Sequence, residues 1–348
     1  MTSKSNFQSY FEKSRREIDA SLQTTLRDFL KEVKVTSPQI LPLVEEFANS
    51  CTGGKRIRGS LVKLGCELSG GKPGKDITGA AVAYEIFQTA ILAHDDIIDK
   101  SLLRRNKPSL YSALGGDHKG ISHAICLADI GFFLTYKILG TLKIPDNKKV
   151  KVVQSFSDAM IYTVLGEMLD VELSSPNKNR SSKDVFDIHG LKTAWYTIIE
   201  PLTIGGIIAG ANTKLLTSFA EFGHSLGIAY QIQDDILGVF GDEKTLGKSV
   251  QADIEENKNT LLITYALGAA NAKQKKILKK YYGAGKITKS QLQQVRTVFI
   301  ETGALAKTEK SAQTYLQAGK KLIAKITKNK NHQLLLNELA DYLVNRQK

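Results

Sequence analysis

Ala80-Ala81-Val82-Ala83-Tyr84-Glu85-Ile86-Phe87-Gln88-Thr89-Ala90-Ile91-Leu92-Ala93-His94-Asp95-Asp96-Ile97-Ile98-Asp99 is the stretch that decides the fold. A strongly apolar run with helical spacing ends here in three aspartates. On a helix Asp95 and Asp99 project from one face a turn apart, with Asp96 about 100° away. Like charges at that spacing weaken a helix unless a cation or a partner charge sits between them. The same carboxylates could instead cap the helix or pair with Arg104 and Arg105, so the run alone leaves both readings open.

Outward from this run, apolar residues recur at three- and four-residue spacing in Phe7–Val33, Gly79–Asp99, Ile121–Leu142, Lys151–Leu173, Ser182–Ala211, Leu215–Phe240, Thr260–Tyr282 and Ser290–Leu343. Breakers separate the segments at Gly70–Gly74, Gly115-Gly116, Ile144-Pro145-Asp146, Ser174–Asn177 and Gly283–Gly285. No strand alternation competes. The expectation is an all-α protein, a large helical bundle around a central cavity, since facing helices build metal and substrate sites in bundle cores.

The 348 residues show no composition break, and one domain spanning 1–348 is expected. With 42% hydrophobic residues and 7 prolines the chain can bury a large core and sustain long helices, which excludes a disordered or fibrous protein. The polar N-terminus lacks the apolar centre of a signal peptide. Thr78–His94 is interrupted by Glu85 and Gln88, and Pro201–Ala211 is short, so no transmembrane helix is expected. Cys51, Cys66 and Cys126 lack the paired spacing of a zinc site and fit free thiols in a reducing cytoplasm. A net charge of +13 suits nucleic acid, an anionic surface or a phosphorylated small molecule. The lysine blocks at Lys273–Lys280 and Lys320–Lys330 read as solvated helix faces.

A second acidic pair, Asp234-Asp235, closes another apolar helical run, Phe219–Ile232. Two such ends could face each other across the cavity. Their donors are all oxygen, which selects magnesium, calcium or manganese over zinc, and magnesium keeps few protein carboxylates beside waters and substrate phosphates. In a basic protein that arrangement points to a diphosphate held through metal. Gly53-Gly54-Lys55-Arg56-Ile57-Arg58 places flexible backbone beside three cations suited to phosphate oxygens. Arg104-Arg105, Lys192-Thr193, Lys248 and Lys258 add further donors.

With these motifs in this order, from about Gly53 to Leu262, the chain resembles the trans-isoprenyl diphosphate synthases, or polyprenyl synthetases, which include farnesyl and geranylgeranyl diphosphate synthases. The likeness also rests on Gly166–Asp170, Gln231-Ile232-Gln233-Asp234-Asp235, Gly247-Lys248, and Asp253-Ile254 with Lys258-Asn259-Thr260. It implies the isoprenoid synthase fold and the condensation of isopentenyl diphosphate with an allylic diphosphate. By the resemblance Lys55, Arg58, Gln88 and Arg105 hold isopentenyl diphosphate, while Arg104, Lys192, Thr193, Gln231, Lys248 and Lys258 grip the allylic diphosphate. Asp95, Asp99, Asp170 and Asp234 are the implied ligands of up to three magnesium ions, manganese being an alternative, with Asp96 and Asp235 in support. The family is typically homodimeric, and its usual base is the released diphosphate itself. Phe87, Ala90 and Ile91, on or near the face of the helix that carries Asp95, would line the tunnel for the growing chain. Ile91 and Ala90 stand at the level where short-chain members carry an aromatic floor, so a C20 product closed off at Phe87 is expected, with C15 and C25 as its neighbours.

Three positions depart from the family pattern. The second acidic motif ends in Gly238 where a third carboxylate is common, Gly59 stands in place of a proline, and Glu167 in place of a glutamine. Among rival functions, a head-to-head synthase lacks the Gly-Gly-Lys-Arg-x-Arg site present here. A non-catalytic partner subunit would not need both acidic sites, and a nucleic-acid binder would carry a motif that is absent.

Overall fold

The computed structural model describes residues 5–174, 181–243 and 249–344. Among the described residues its helices are α1 (Asn6–Thr36), α2 (Leu41–Ser50), α3 (Ile57–Leu68), α4 (Lys75–Ile98), α5 (Leu110–Ala113), α6 (His118–Thr141), α7 (Asp146–Leu173), α8 (Ser182–Ile188), α9 (Glu200–Ala209) and α10 (Thr213–Phe240), and six further helices follow from Ala252 to Val344. The all-α expectation holds. One exception is a two-residue ribbon, β1 (Leu103–Arg104) and β2 (Lys107–Pro108), antiparallel with Arg104 opposite Lys107. Arg105 and Asn106 between the strands have φ of 55° and 61°, the pair of positive values that a tight mirror-image hairpin turn requires.

The chain divides into two compact units, Met1–Ser157 with Glu200–Phe219, and Asp158–Ile199 with Ala220–Lys348. In the first, α4 packs against α1, α3, α5, α6 and α9. Every residue from Ala80 to Gln88 is buried, which accounts for a sequence apolar on nearly all sides. Tyr84, Phe87, Phe132 and Phe156 meet edge-on or tilted, with ring centroids 5.1–5.7 Å apart. In the second unit Val239, Ile254, Leu262, Val295, Val298 and Phe299 form one buried cluster.

Several boundaries differ from the sequence pattern. Thr260–Tyr282 is two helices, Leu261–Ala269 and Ala272–Tyr281, because Asn271 caps the second by accepting from the Gln274 N–H. Ser290–Leu343 is three helices, Lys289–Glu301, Ala304–Ile326 and Lys330–Val344, with the first break at Gly303 in the left-handed region (φ 73°). Within Ser182–Ala211, residues His189–Ile199 are wound as a π-helix between α8 and α9. Helices α2 and α3 were not legible as periodic runs, since Gly59, Ser60, Lys63 and Gly65 dilute the apolar face of α3 although all four are buried. Among the described residues α6 is long and apolar enough to cross a membrane, a property expected of no segment; it lies along α4 in the first unit.

Helices α3 and α9 cross at glycines. A Cβ on Gly205 would fall inside the van der Waals shell of the Val62 carbonyl oxygen, and one on Gly65 inside that of Leu202. Gly205→Ala must therefore push two backbones apart and should cost about 1–3 kcal/mol or more, read as a lower urea midpoint; an unchanged midpoint would show that the crossing is looser.

Candidate active site

Helix α4 ends in the first unit with a hydrogen-bonded wrap. The Ser101 N–H donates to the Asp96 carbonyl (2.8 Å) and the Lys100 N–H to that of Ile97 (3.3 Å), with Lys100 at φ 52°. This is the Schellman closure, in which the left-handed residue is usually glycine. It leaves Asp95 and Asp99 half-buried one turn apart, each with a carboxylate oxygen within 4.8 Å of the other's. Asp96 points elsewhere and is buried. Arg104 Nε donates to both Asp96 oxygens at 2.8 Å, and Nη2 reaches Asp95 Oδ2 at 3.0 Å. Burial pushes the Asp96 carboxyl up to about 6, against the opposing pull of Arg104. Of the two readings open in the sequence, pairing with Arg104 thus holds for Asp96 and in part for Asp95. Asp95 and Asp99 keep the spacing and the hard-oxygen chemistry that fit a magnesium ion.

Beside this end lies a group of arginines. Arg56, in the left-handed region at φ 56°, is buried and donates to Asp19 (2.6 Å), Glu85 (3.2 Å) and the Cys51 carbonyl (2.8 Å). It is a structural pin. The other Glu85 oxygen accepts from the Gly59 N–H at 2.8 Å, a bond that proline at this position could not make. Arg58 and Gln88 are buried, and Lys55 and Arg105 are exposed. Although Arg105 is exposed as a residue, its guanidinium is packed among protein groups, and this desolvation, with the neighbouring Arg104, Arg58 and Arg56 charges, lowers its pKa, while Glu85 pulls it upward. A Cβ on Gly54 would stand 3.2 Å from Arg105 and 3.3 Å from Arg56 nitrogens, so the glycine lets the two guanidiniums converge. Converging cations favour an anion in their midst.

The second unit carries its own polar set. On the π-helix, Lys192 Nζ lies 2.6 Å from Glu167 and 3.2 Å from Asp170. Thr193 Oγ1 donates to Gln231 Oε1 (2.8 Å), and Gln231 Nε2 donates to Asp235 Oδ1 (2.9 Å). The Asp235 carboxylate lies 3.1 Å from His189 Nε2, both side chains being buried. Asp234 is half-buried on the same helix, α10. Lys258 Nζ stands 3.7 Å from Asp253, and Asn259 holds the Asp170 carbonyl at 3.2 Å. Lys248 lies outside the described residues. His189 and Glu85 are the two groups that sequence reasoning missed. Both act on partners distant in the chain, and no local spacing announces them.

Residues 42–299 match the family model for polyprenyl synthetase. The chain belongs to the polyprenyl synthetase family. It is 31% identical to a geranylgeranyl diphosphate synthase of Sulfolobus acidocaldarius, over 82% of this chain and 83% of that protein. It is 29% identical to a geranylfarnesyl diphosphate synthase of Aeropyrum pernix, over 85% and 91%. Among solved structures, it superposes with a TM-score of 0.87 at 25% identity on a geranylgeranyl pyrophosphate synthase from Corynebacterium glutamicum complexed with isoprenyl diphosphate and magnesium, covering 94% and 98% of the two chains.

Within this polyprenyl synthetase Gly238 has a structural reason. The space that a side chain at 238 would take is filled by the Asp253 carboxylate, which would collide with a Cβ there. Asp253 is buried. Gly238→Ala should therefore lower thermal stability by about 1–3 kcal/mol as Asp253 is displaced, and Gly238→Asp, which completes the acidic motif on paper, should lose activity. A gain in activity from Gly238→Asp would contradict this account.

Proposed function

We propose that this polyprenyl synthetase condenses isopentenyl diphosphate head to tail with an allylic diphosphate and delivers mainly the C20 geranylgeranyl diphosphate. The observation that carries the reading is the end of α4, where a half-buried Asp95–Asp99 pair suited to a hard cation adjoins the converging Arg58, Arg104 and Arg105. One diphosphate is held through metal and the other by guanidiniums, which is what two different diphosphate substrates require. The relatives named above are geranylgeranyl and geranylfarnesyl synthases, in keeping with a product of this length.

When bound, magnesium supplies Lewis acidity that stabilises charge on the departing diphosphate. Asp95, Asp99, Asp170 and Asp234 are the proposed ligands. Lys192, Thr193, Gln231, Lys248 and Lys258 would donate to the allylic diphosphate, lowering the barrier to ionisation of its C–O bond. Lys55, Arg58, Gln88 and Arg105 would orient isopentenyl diphosphate so that its double bond meets the allylic cation at short range. The apolar side chains of α4 would keep water from that cation. No histidine base is assigned.

We further propose a cytoplasmic homodimer acting as one domain. Ile161, Val164, Leu165, Met168 and Val171 form an exposed apolar face of α7, the kind of surface a second copy would cover. A monomer mass by light scattering would remove the dimer. The chain changes unit inside α7, between the π-helix and α9, and inside α10.

Asp95→Ala, or chelation of magnesium, should cut turnover by about a hundredfold or more with little change in melting temperature; near-normal product formation would refute the metal assignment. Arg58→Ala should raise KM for isopentenyl diphosphate above all, and Lys192→Ala that for the allylic partner, whereas equal effects would deny two separate sites.

For product length the packing of α4 favours Ile91 over Ala90 as the position to test. Ala90 is fully buried, and a Cβ on Gly131 of α6 would come within 3.0 Å of the Ala90 Cβ, so an aromatic there meets α6 rather than open space. Ile91 is half-buried and is the better gate. Ile91→Phe should shift the main product toward C15 and Phe87→Leu should lengthen it, as read by product mass; unchanged lengths in both would exclude this face as the ruler.

A further inference from the structure

The second unit holds a histidine that the reaction outlined above does not use. His189 is the first residue of the π-helix that carries Lys192 and Thr193, and it is 2% exposed. Its Nε2 stands 3.1 Å from Asp235 Oδ2, a close polar contact without hydrogen-bond alignment, and both Asp235 Oδ2 and His189 Nδ1 are buried with no hydrogen-bond partner among the described residues. With its proton on Nε2, the imidazole sets that N–H beside the one Asp235 oxygen that nothing else satisfies.

The contact is the start of a relay. Asp235 Oδ1 takes one hydrogen of the Gln231 amide at 2.9 Å, which turns Gln231 Oε1 toward Thr193 and receives its hydroxyl hydrogen at 2.8 Å. A primary amide carries two N–H hydrogens, so Gln231 retains one for an anion. A flipped amide would present its carbonyl oxygen instead and repel a phosphate. What prevents the flip is a carboxylate at Asp235, and a buried carboxylate needs a partner. The backbone is fixed independently of the relay. Side chains on Gly166 and Gly227 would collide with the backbone of Lys192 and Ala194, so α7 and α10 clamp the π-helix directly.

We propose that His189 is a positioning residue for the allylic diphosphate, holding Asp235 so that Asp235 sets the Gln231 amide and Gln231 sets the Thr193 hydroxyl. The proposal rests on the function stated above. Its test is a kinetic cycle of His189→Leu, His189→Gln, Thr193→Val and the doubles. His189→Leu should raise KM for the allylic diphosphate about tenfold, the size of one polar contact to a buried carboxylate, and leave KM for isopentenyl diphosphate unchanged. His189→Gln, which retains a donor toward Asp235, should recover most of the loss. The double His189→Leu/Thr193→Val should be no worse than Thr193→Val alone, because both changes break one relay. Losses that multiply in the double, a shift in both KM values together, or no shift at all would each overturn the relay. If His189→Leu fails to fold, the cycle of His189→Gln with Thr193→Val carries the same test, with multiplying losses again the refuting result. An active wild type with no coupling sinks this proposal alone, and a wild type that condenses nothing sinks the function with it.

Discussion

Burial of α4 on all sides is the constraint from which the first half of the site follows. A helix whose residues 80 to 88 are all buried can carry charge only where it leaves the core, and the three aspartates stand at that exit. Their mutual repulsion is tolerable there because the end is partly solvated and Arg104 neutralises Asp96. Deeper in, the same charges would need a partner for every carboxylate. The core thus fixes the depth of the proposed metal ligands, and the closing wrap at Lys100 fixes their direction.

The cations fall into two kinds that composition cannot separate. Arg56 is spent on structure, bound to Asp19, Glu85 and a backbone carbonyl, and it organises the loop before α3. Arg105 sits on a hairpin turn with other guanidiniums around it, and that crowding is unfavourable until an anion enters. Lys192 is held by Glu167 and Asp170, so the allylic diphosphate proposed to bind there would compete with carboxylates for it. Glutamate at 167 in place of glutamine strengthens that hold with a full charge.

The sequence made the helical class, the acidic end of α4 and the order of the basic motifs legible, because each is written in local spacing, whereas Asp234-Asp235, read as a second helix end, lies within α10, which runs on to Phe240. The π-helix was not legible. Its residues satisfy a helical period, and the wider winding comes from neighbours that the period does not record. The structural part played by Arg56 was also hidden, since it depends on Asp19 and Glu85, which reach Arg56 from α1 and α4. Gly238 read as a missing ligand and proved to be occupied space, because Asp253 arrives from a distant part of the chain.

Four non-glycine residues in the first unit, Arg56, Lys100, Arg105 and Asn106, hold left-handed backbone, and all four lie in the two segments flanking the acidic helix end. Arg56, Lys100 and Arg105 each cost on the order of 1 kcal/mol relative to a relaxed conformation, whereas asparagine at 106 tolerates it better. A designer seeking a hardier enzyme would place glycine or asparagine at such positions and gain stability, but at 56 and 105 would discard the guanidiniums. The chain instead spends part of its folding free energy on keeping side chains where the backbone resists them. Thermostabilisation of this protein is therefore better directed at its outer helices than at these turns.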